Sequence, residues 1–328
     1  MIESILYPIL TLSGMGLLFG VGLALAYKRY EVKVDPKVEA VREVLPGANC
    51  GACGYPGCDG FASAVVNGGA SPSGCPVGGA KVTEDICEIL GVEADVGEDM
   101  VAKVLCQGDM DRAKDKFIYT GVEDCAAASM LSSGPKACSY GCLGLGSCVK
   151  VCQFDAIHID ERGIAVVDVD KCTACGQCVN ACPKGLIEMV PKKSFVQVMC
   201  ISKDRGKDVR KYCDIGCIAC RICVNACEFG AIEIENNIAK IDYDKCTNCM
   251  VCAEKCPTNA IYANFERRKR AYIDAEKCIG CTICSRNCSF DAIEGERKVK
   301  HTIIDDKCTG CGVCASKCPT DAITMGDR

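Results

Sequence analysis

The segment DKCTGCGVCASKCPTDAI, residues 306–323, decides the fold of this chain. It places four cysteines at the spacing C-x2-C-x2-C-x3-C, with a proline directly after the last one. In such a run, three thiolates on one tight loop bind one iron–sulfur cube and the fourth binds a neighbouring cube. The segment therefore predicts a 4Fe–4S site that shares its ligand run with a second site.

Six four-cysteine runs of this kind follow one another from Cys138 onward, and they form three pairs. The second run of each pair ends in Cys-Pro, whereas the first does not. The pattern is that of two-cluster bacterial ferredoxins, and the apolar stretches between the runs predict short strands. We therefore predict an α+β fold with one N-terminal transmembrane helix, a small iron–sulfur domain and three tandem two-cluster ferredoxin modules.

Crossed ligation, in which the fourth cysteine of a run binds the partner cluster, assigns six sites in these modules. The predicted sets are Cys138, Cys142, Cys148 and Cys182 (cluster 2); Cys152, Cys172, Cys175 and Cys178 (cluster 3); Cys217, Cys220, Cys223 and Cys256 (cluster 4); Cys227, Cys246, Cys249 and Cys252 (cluster 5); Cys278, Cys281, Cys284 and Cys318 (cluster 6); and Cys288, Cys308, Cys311 and Cys314 (cluster 7). In the first run Leu145 stands where the second module has Cys220. We expect Cys138 to supply the missing ligand.

A separate cysteine group precedes the modules. The segment GANCGACGYPGC, residues 47–58, and the later Cys75 supply Cys50, Cys53, Cys58 and Cys75 (cluster 1). Glycines between these cysteines let the backbone wrap closely around a cube. Seven clusters are thus predicted, and they leave five of the 33 cysteines without a role.

The five remaining cysteines allow two interpretations. They are either inert buried thiols or, for four of them, the ligands of an eighth cluster whose distant members meet in the fold. Those four are Cys106, Cys125, Cys200 and Cys213, which flank the first two modules. Cys87 lies on an apolar helical stretch and is expected to be structural.

Composition limits the other uses of so many cysteines. A disulfide scaffold is typical of short secreted chains, and a zinc site uses two C-x2-C pairs rather than the ferredoxin spacing. Net charge is −5 with both signs spread along the chain, which argues against nucleic-acid binding. The basic run Arg267-Arg268-Lys269-Arg270 is either a solvated linker or a docking patch for an acidic redox protein.

The N-terminus carries an uncharged apolar stretch from Ser4 to Tyr27, which is long enough to cross a bilayer as a helix. Lys28 and Arg29 follow it, so the positive-inside tendency places the rest of the chain in the cytoplasm. The alternative is a cleaved signal peptide, but the stretch lacks a basic start. We predict a single-pass protein of the cell membrane with its clusters on the cytoplasmic side.

These patterns divide the chain into seven parts. They are residues 1–30 (transmembrane anchor), 31–95 (N-terminal 4Fe–4S domain), 96–134 (linker with Cys106 and Cys125), 135–192 (ferredoxin module 1), 193–213 (insertion with Cys200 and Cys213), 214–262 (module 2) and 263–328 (linker and module 3).

The order of one apolar helix, GANCGACGYPGC, CSYGCLGLGSC and stacked ferredoxin runs closely resembles the B subunits of Rnf complexes, which are membrane ferredoxin:NAD⁺ oxidoreductases that transport Na⁺ or H⁺. The resemblance covers essentially the whole chain and implies an electron-transfer subunit that takes electrons from soluble reduced ferredoxin. It also implies further subunits, including a separate NAD- and flavin-binding one. No catalytic residues or complete active site are expected in this chain alone. The alternative is an iron–sulfur subunit of a hydrogenase-like or corrinoid-dependent enzyme, which would need a further domain.

Overall fold

A computed structural model describes residues 2–29, 35–93 and 98–326. The predicted domain boundaries at residues 30/31 and 95/96, and the ends of the chain at residues 1 and 327–328, lie outside the described residues. The first helix, α1 (Ile2–Arg29), contains a segment of mean hydropathy 2.0 at Ile9–Arg29 whose side chains are exposed. By length and composition this helix is a candidate membrane span.

Three helices form the N-terminal iron–sulfur domain: α2 (Pro36–Val44), α3 (Gly57–Val66) and α4 (Gly79–Leu90). Asp35 caps α2 by accepting a hydrogen bond from the Lys37 N–H at 2.8 Å, and Pro36 suits the first helical position. The three helices enclose a small core that includes Val41, Phe61 and Ile86, each at most 1% exposed. This core fixes the loop between α2 and α3, which carries the first cysteines.

The rest of the described chain repeats one strand arrangement three times. In each repeat an inner hairpin lies inside an outer antiparallel pair, and the outer pair joins the first and last strands of the repeat. The first repeat contains β1 (Met100–Val104), β2 (Ile157–Ile159), β3 (Ala165–Val167) and β4 (Ile187–Pro191); the second contains β5 (Val196–Val198), β6 (Ile232–Glu235), β7 (Ile238–Ile241) and β8 (Ile261–Ala263); the third contains β9 (Arg270–Ile273), β10 (Ile293–Glu294), β11 (Thr302–Ile303) and β12 (Ile323–Gly326).

Two segments that the sequence predicted as a linker and an insertion contribute outer strands to the repeats. β1 lies in the segment predicted as a linker and pairs with β4 from Met100–Pro191 to Val104–Ile187. β5 lies in the predicted insertion and pairs with β8. Their apolar side chains are buried, with Val101 and Val196 each 1% exposed, so burial holds both segments against the cluster-binding loops.

Short helices fill the space between the strands. They are α5 (Cys125–Met130), α6 (Ser147–Lys150), α7 (Gln177–Ala181), α8 (Gly206–Tyr212), α9 (Ile222–Asn225), α10 (Val251–Glu254), α11 (Ile283–Arg286) and α12 (Val313–Ser316). Each repeat has a small core in which Val, Ile and Ala side chains pack against cysteines, as Ile232 and Ile261 pack with Cys223 and Cys252 in the second repeat. Cysteine is therefore a structural part of these cores.

Candidate iron–sulfur centres

Five of the six runs share one loop conformation. The residues directly before and after the middle cysteine of each run have positive φ, between 54° and 80°. A helical turn then begins one residue before the third cysteine. Two left-handed residues bend the chain around a point, so the three thiols face a common volume. The pairs of left-handed residues are Ala174 and Gly176, Ala219 and Arg221, Asn248 and Met250, Gly280 and Thr282, and Gly310 and Gly312.

In four of the six predicted sets, the thiol expected from the partner run lies near the other thiols of its set. Cys178 lies near Cys152, Cys223 near Cys256, and Cys252 near Cys227, in addition to the neighbours within their own runs. In the third repeat, Cys288, Cys308, Cys311 and Cys314 line one cavity of about 340 Å³. Of the set predicted for cluster 6, Cys284 lies near Cys278 and Cys281, and Cys318 follows α12 of the paired run.

The N-terminal group is held by side-chain hydrogen bonds. Asn49 accepts a hydrogen bond from the backbone N–H of Cys58 at 2.8 Å, and Gly57 has φ 83°. Cys75 lies near Cys53 and Cys58, and burial raises the pKa of its thiol. The structure thus places Cys75, which follows α3, beside Cys53 and Cys58, which stand before α3 and in its first turn; all three belong to the set predicted for cluster 1.

Buried thiols of this kind suit a cluster whose iron–sulfide core carries positive charge. Burial, followed by neighbouring thiols, raises the pKa of Cys252 to about 12 and that of Cys314 to about 11. Coordination to iron removes this proton, because the metal charge stabilises the thiolate. Backbone N–H groups also point at ligand sulfurs at 3.4–3.5 Å, as from Ala156 to Cys152 and from Leu186 to Cys182, and such bonds tune cluster potentials.

Three further observations test whether a 4Fe–4S cube fits these sites. The buried hydroxyls of Thr173 and Thr282, each next to a run cysteine, have no hydrogen-bond partner within the described residues, and cluster sulfides would accept from them. All 33 cysteines are free of disulfides. Among the described residues, no three His, Cys, Asp or Glu side chains are close enough to hold a single metal ion. The thiols therefore surround volumes suited to a group larger than one zinc ion.

The first run has the same loop as the others despite its missing cysteine. Gly144 (φ 72°) and Gly146 (φ 74°) are the two left-handed residues, and α6 begins at Ser147, one residue before Cys148. Leu145 therefore occupies the position of the middle cysteine, as the sequence predicted.

The thiol that the structure places beside this loop is not the Cys138 that the sequence predicted. Cys125, predicted for cluster 8, lies near Cys142 and Cys148, which also lie near Cys182. Its backbone N–H donates to the Ser147 hydroxyl at 2.7 Å, and that hydroxyl donates to Asp124 at 2.8 Å. These bonds fasten the start of α5 to the cysteine loop. In the sequence, Asp124 directly before Cys125 is a helix-capping residue and could have indicated that a helix starts at Cys125. The sequence around Asp124 did not indicate that Ser147 would be the hydrogen-bond partner.

Cys138, predicted for cluster 2, lies instead with three of the remaining cysteines. Cys106, Cys138, Cys200 and Cys213 line one cavity of about 360 Å³, whose lining does not include Cys125. Cys87 is 3% exposed within α4, and its Sγ lies 3.8 Å from the Glu93 carbonyl oxygen. The structural role expected for Cys87 agrees with this burial.

The basic run is only partly solvated, because Arg267 and Lys269 are exposed whereas Arg268 and Arg270 pack between neighbouring repeats. Arg268 pairs with Glu254 of the second repeat at 2.7 Å, and its side chain is 14% exposed. Arg270 is 8% exposed and donates to the Asp305 carbonyl oxygen of the third repeat. The guanidinium of Arg267 stacks 5.2 Å from the Phe195 ring centre. The run therefore connects the second and third repeats.

Comparison with known families identifies the cluster-binding regions. The family described as "Putative Fe-S cluster" matches residues 45–77, and the 4Fe-4S dicluster domain matches residues 139–189 and 271–325. Two families described as 4Fe-4S binding domains match residues 239–262 and 216–230. The protein therefore has one N-terminal iron–sulfur domain followed by 4Fe–4S ferredoxin domains.

Three relatives are similar over most of the chain. The B subunit of the Na⁺-translocating ferredoxin:NAD⁺ oxidoreductase complex of Acetobacterium woodii is 50% identical, over 82% of this chain and 81% of the relative. The chain belongs to the B-subunit family of ion-translocating ferredoxin:NAD⁺ oxidoreductase complexes. The proton-translocating counterpart of Clostridium ljungdahlii is 43% identical over 80% of this chain and 93% of the relative. The B subunit of the ion-translocating oxidoreductase complex of Methanosarcina acetivorans is 42% identical over 77% and 96%.

In this member of the B-subunit family, neighbouring thiol sets lie near one another at three places along the chain. The Gln177 side chain donates to the Cys50 carbonyl oxygen at 3.1 Å, and Cys75 and Cys172 line one groove. Further along, Cys223 lies near Cys252, and Cys249 lies near Cys311. The sets of successive domains are therefore adjacent in space.

Proposed function

We propose that this chain is the iron–sulfur electron-transfer subunit of a membrane-bound, ion-translocating ferredoxin:NAD⁺ oxidoreductase. In this proposal it takes electrons from reduced soluble ferredoxin and relays them to other subunits. The observation that carries the proposal is the 50% identity to the B subunit of such a complex over 82% of the chain. The adjacency of the thiol sets supports it, because a relay needs neighbouring carriers.

The proposed carriers are 4Fe–4S clusters in three two-cluster ferredoxin modules, one per repeat, and in the N-terminal domain. When bound, such clusters supply one-electron carriers whose potentials depend on charge, hydrogen bonds to sulfur and exposure. We propose the sequence-based sets for clusters 1 and 3–7 without change. The chain's own residues hold these sites in place: left-handed residues shape each loop, and backbone N–H groups face the ligand sulfurs.

We further propose that electrons enter at the third repeat and leave near the N-terminal cluster, beside the membrane. The apolar helix α1 supports membrane attachment of the N-terminal end. With Lys28 and Arg29 after that span, the clusters are proposed to lie on the cytoplasmic side, where soluble ferredoxin is available. A separate NAD- and flavin-binding subunit is the proposed final partner.

Anaerobic membrane vesicles with the full complex test this function. Reduced ferredoxin should bleach the visible absorbance of the purified full-length subunit, and vesicles should reduce NAD⁺ with ferredoxin only when the subunit is present. Inverted vesicles should accept ferredoxin, whereas right-side-out vesicles should not. A cluster-loaded subunit that reduced ferredoxin cannot reduce would refute the proposal.

A further inference from the structure

Four cysteines from four separate segments line one cavity between the first and second repeats. The cavity of Cys106, Cys138, Cys200 and Cys213 has a volume of about 360 Å³. The cavity in the third repeat, lined by all four cysteines of a regular ferredoxin set, has about 340 Å³. The two cavities therefore agree in size and in number of thiols, although only the second has a recognisable ligand run.

Main-chain pairing brings the distant segments of this cavity together. Ala113 and Cys213 form an antiparallel bridge, flanked by hydrogen bonds from Lys114 N–H to the Tyr212 carbonyl oxygen at 2.9 Å and from Asp214 N–H to the Arg112 carbonyl oxygen at 3.0 Å. A Cβ atom on Gly108 would lie 3.5 Å from the Cys213 sulfur and 3.7 Å from the Cys106 sulfur. The two sulfurs are therefore close neighbours, although 107 positions separate them in the sequence.

A buried cation accompanies these thiols. Lys136 is 6% exposed, and its Nζ donates to the Gly108 carbonyl oxygen at 2.6 Å. A buried lysine is costly without a compensating charge. Lys136 also lies near Cys213. A negatively charged, cysteine-ligated group in the cavity would supply the compensation.

We propose that Cys106, Cys138, Cys200 and Cys213 bind an eighth 4Fe–4S cluster, and that Cys125 completes the set of Cys142, Cys148 and Cys182. This inference rests on the proposed function, since it concerns the same electron relay. Relative to the sequence-based sets, Cys138 moves from cluster 2 to cluster 8 and Cys125 moves from cluster 8 to cluster 2. The exchange leaves no regular site short of a thiolate and leaves only Cys87 outside the eight sets.

The eighth site lies between the first and second repeats and would link their clusters. The backbone N–H of Cys142, in the first repeat, donates to the Cys106 sulfur at 3.5 Å. The backbone N–H of Cys217, in the second repeat, donates to the Cys200 thiolate. A ligand of each neighbouring cluster thus touches a ligand of the eighth. Electrons that pass between these repeats would cross this site.

Iron content and electron paramagnetic resonance of the full-length protein, purified anaerobically, test the eighth site. Cys106→Ala and Cys213→Ala should each lose about four iron atoms per chain and one cluster signal. Cys87→Ala, a buried cysteine outside the cavity, is the matched control and should lose none. Unchanged iron in both cavity variants would overturn the inference. If the wild type then still accepted electrons from ferredoxin, the proposed function would stand without an eighth cluster; a wild type without any 4Fe–4S signal would refute the function itself.

A rescue experiment tests the ligand exchange. Leu145 occupies the position of the middle cysteine, so Leu145→Cys offers a regular ligand to the Cys142 and Cys148 site. Cys125→Ala should lose about four iron atoms, and Cys125→Ala/Leu145→Cys should regain them. Cys138→Ala should also lose about four, but Cys138→Ala/Leu145→Cys should not regain them. Rescue of Cys138→Ala instead of Cys125→Ala would restore the sequence-based assignment and overturn ours. The rescued variant also shows that the fold tolerates these changes.

Discussion

Gly280→Ala should destabilise the cluster held by Cys278, Cys281 and Cys284. Gly280 has φ 66°, and a Cβ atom there would lie 2.6 Å from the Val299 carbonyl oxygen and 2.7 Å from the Val299 nitrogen. Both atoms belong to the main chain of a turn that donates a hydrogen bond, from Lys298 N–H, to the Gly280 carbonyl oxygen at 2.9 Å. The turn cannot move away without breaking this bond.

The dihedral angle alone does not require glycine at this position. Ala174, Ala219 and Asn248 occupy the equivalent position in other runs with φ 54–58° and carry a Cβ. Left-handed backbone costs a side chain about 1–2 kcal/mol, and overpacking against fixed atoms adds about 1–3 kcal/mol. Gly312→Ala is the matched control, because Gly312 has φ 80° and a Cβ atom there would meet nothing within 4 Å. Gly312→Ala should cost only the dihedral contribution of about 1–2 kcal/mol.

The assay is the rate at which the visible absorbance decays in an anaerobic iron chelator, with iron content measured at the end point. A difference of about 1.4 kcal/mol is a factor of ten, so Gly280→Ala should lose its cluster about tenfold faster than Gly312→Ala. Equal rates for the two variants would refute the reasoning, since both pay the dihedral cost and only Gly280→Ala also meets Val299.

Three other variants probe the relay and its attachment. Ser147→Ala removes the acceptor of the Cys125 N–H and should speed loss of the first-run cluster to chelator. Ser129→Ala is the control, because the Ser129 hydroxyl donates to the Cys125 carbonyl oxygen inside α5 and does not join α5 to the cysteine loop; equal rates would contradict the anchoring role. Lys136→Met should lower the potential of the eighth cluster by on the order of 90 mV, because a unit charge, if taken as about 8 Å from the cluster, contributes about 2 kcal/mol at an effective dielectric constant of about 20. A redox titration checks this against Lys116→Met, which removes an exposed lysine, and a shift of the same size there would argue against a local effect. Deletion of residues 2–29 should release the protein from the membrane fraction with its iron content intact, and membrane retention after the deletion would show that other subunits or surfaces suffice.

Local sequence predicted the parts of this protein that local geometry determines. Three cysteines at fixed spacing need only a tight loop, so the five regular runs and the position of Leu145 could be recognised from spacing alone. The proline that ends every second run indicated the pairs, and the structure has a strand arrangement that repeats with them. The apolar content of Ser4 to Tyr27 likewise predicted the long first helix.

The ligands that come from distant segments could not be predicted in the same way. Cys138 stands at the start of the first run, so spacing assigned it to that run and left the more distant Cys125 outside it. The choice depends instead on the Ser147 hydrogen bonds and on the bridge between Ala113 and Cys213, which join segments far apart in sequence. The strands β1 and β5 were missed for the same reason, since each pairs with a strand more than 60 residues later.

The two missed strands and the eighth site are parts of one arrangement. β1 leads directly to Cys106, and β5 leads to Cys200, so the outer sheets of the first two repeats deliver one ligand each to the cavity between them. A segment that looks like a linker in the sequence thus closes a repeat and also reaches its neighbour. Between the second and third repeats, by contrast, Cys249 and Cys311 lie near each other directly, and the run from Arg267 to Arg270 fastens the joint. In the proposed assignment only the first joint needs an additional cluster, which explains why the extra cysteines flank the first two modules and why the third has none.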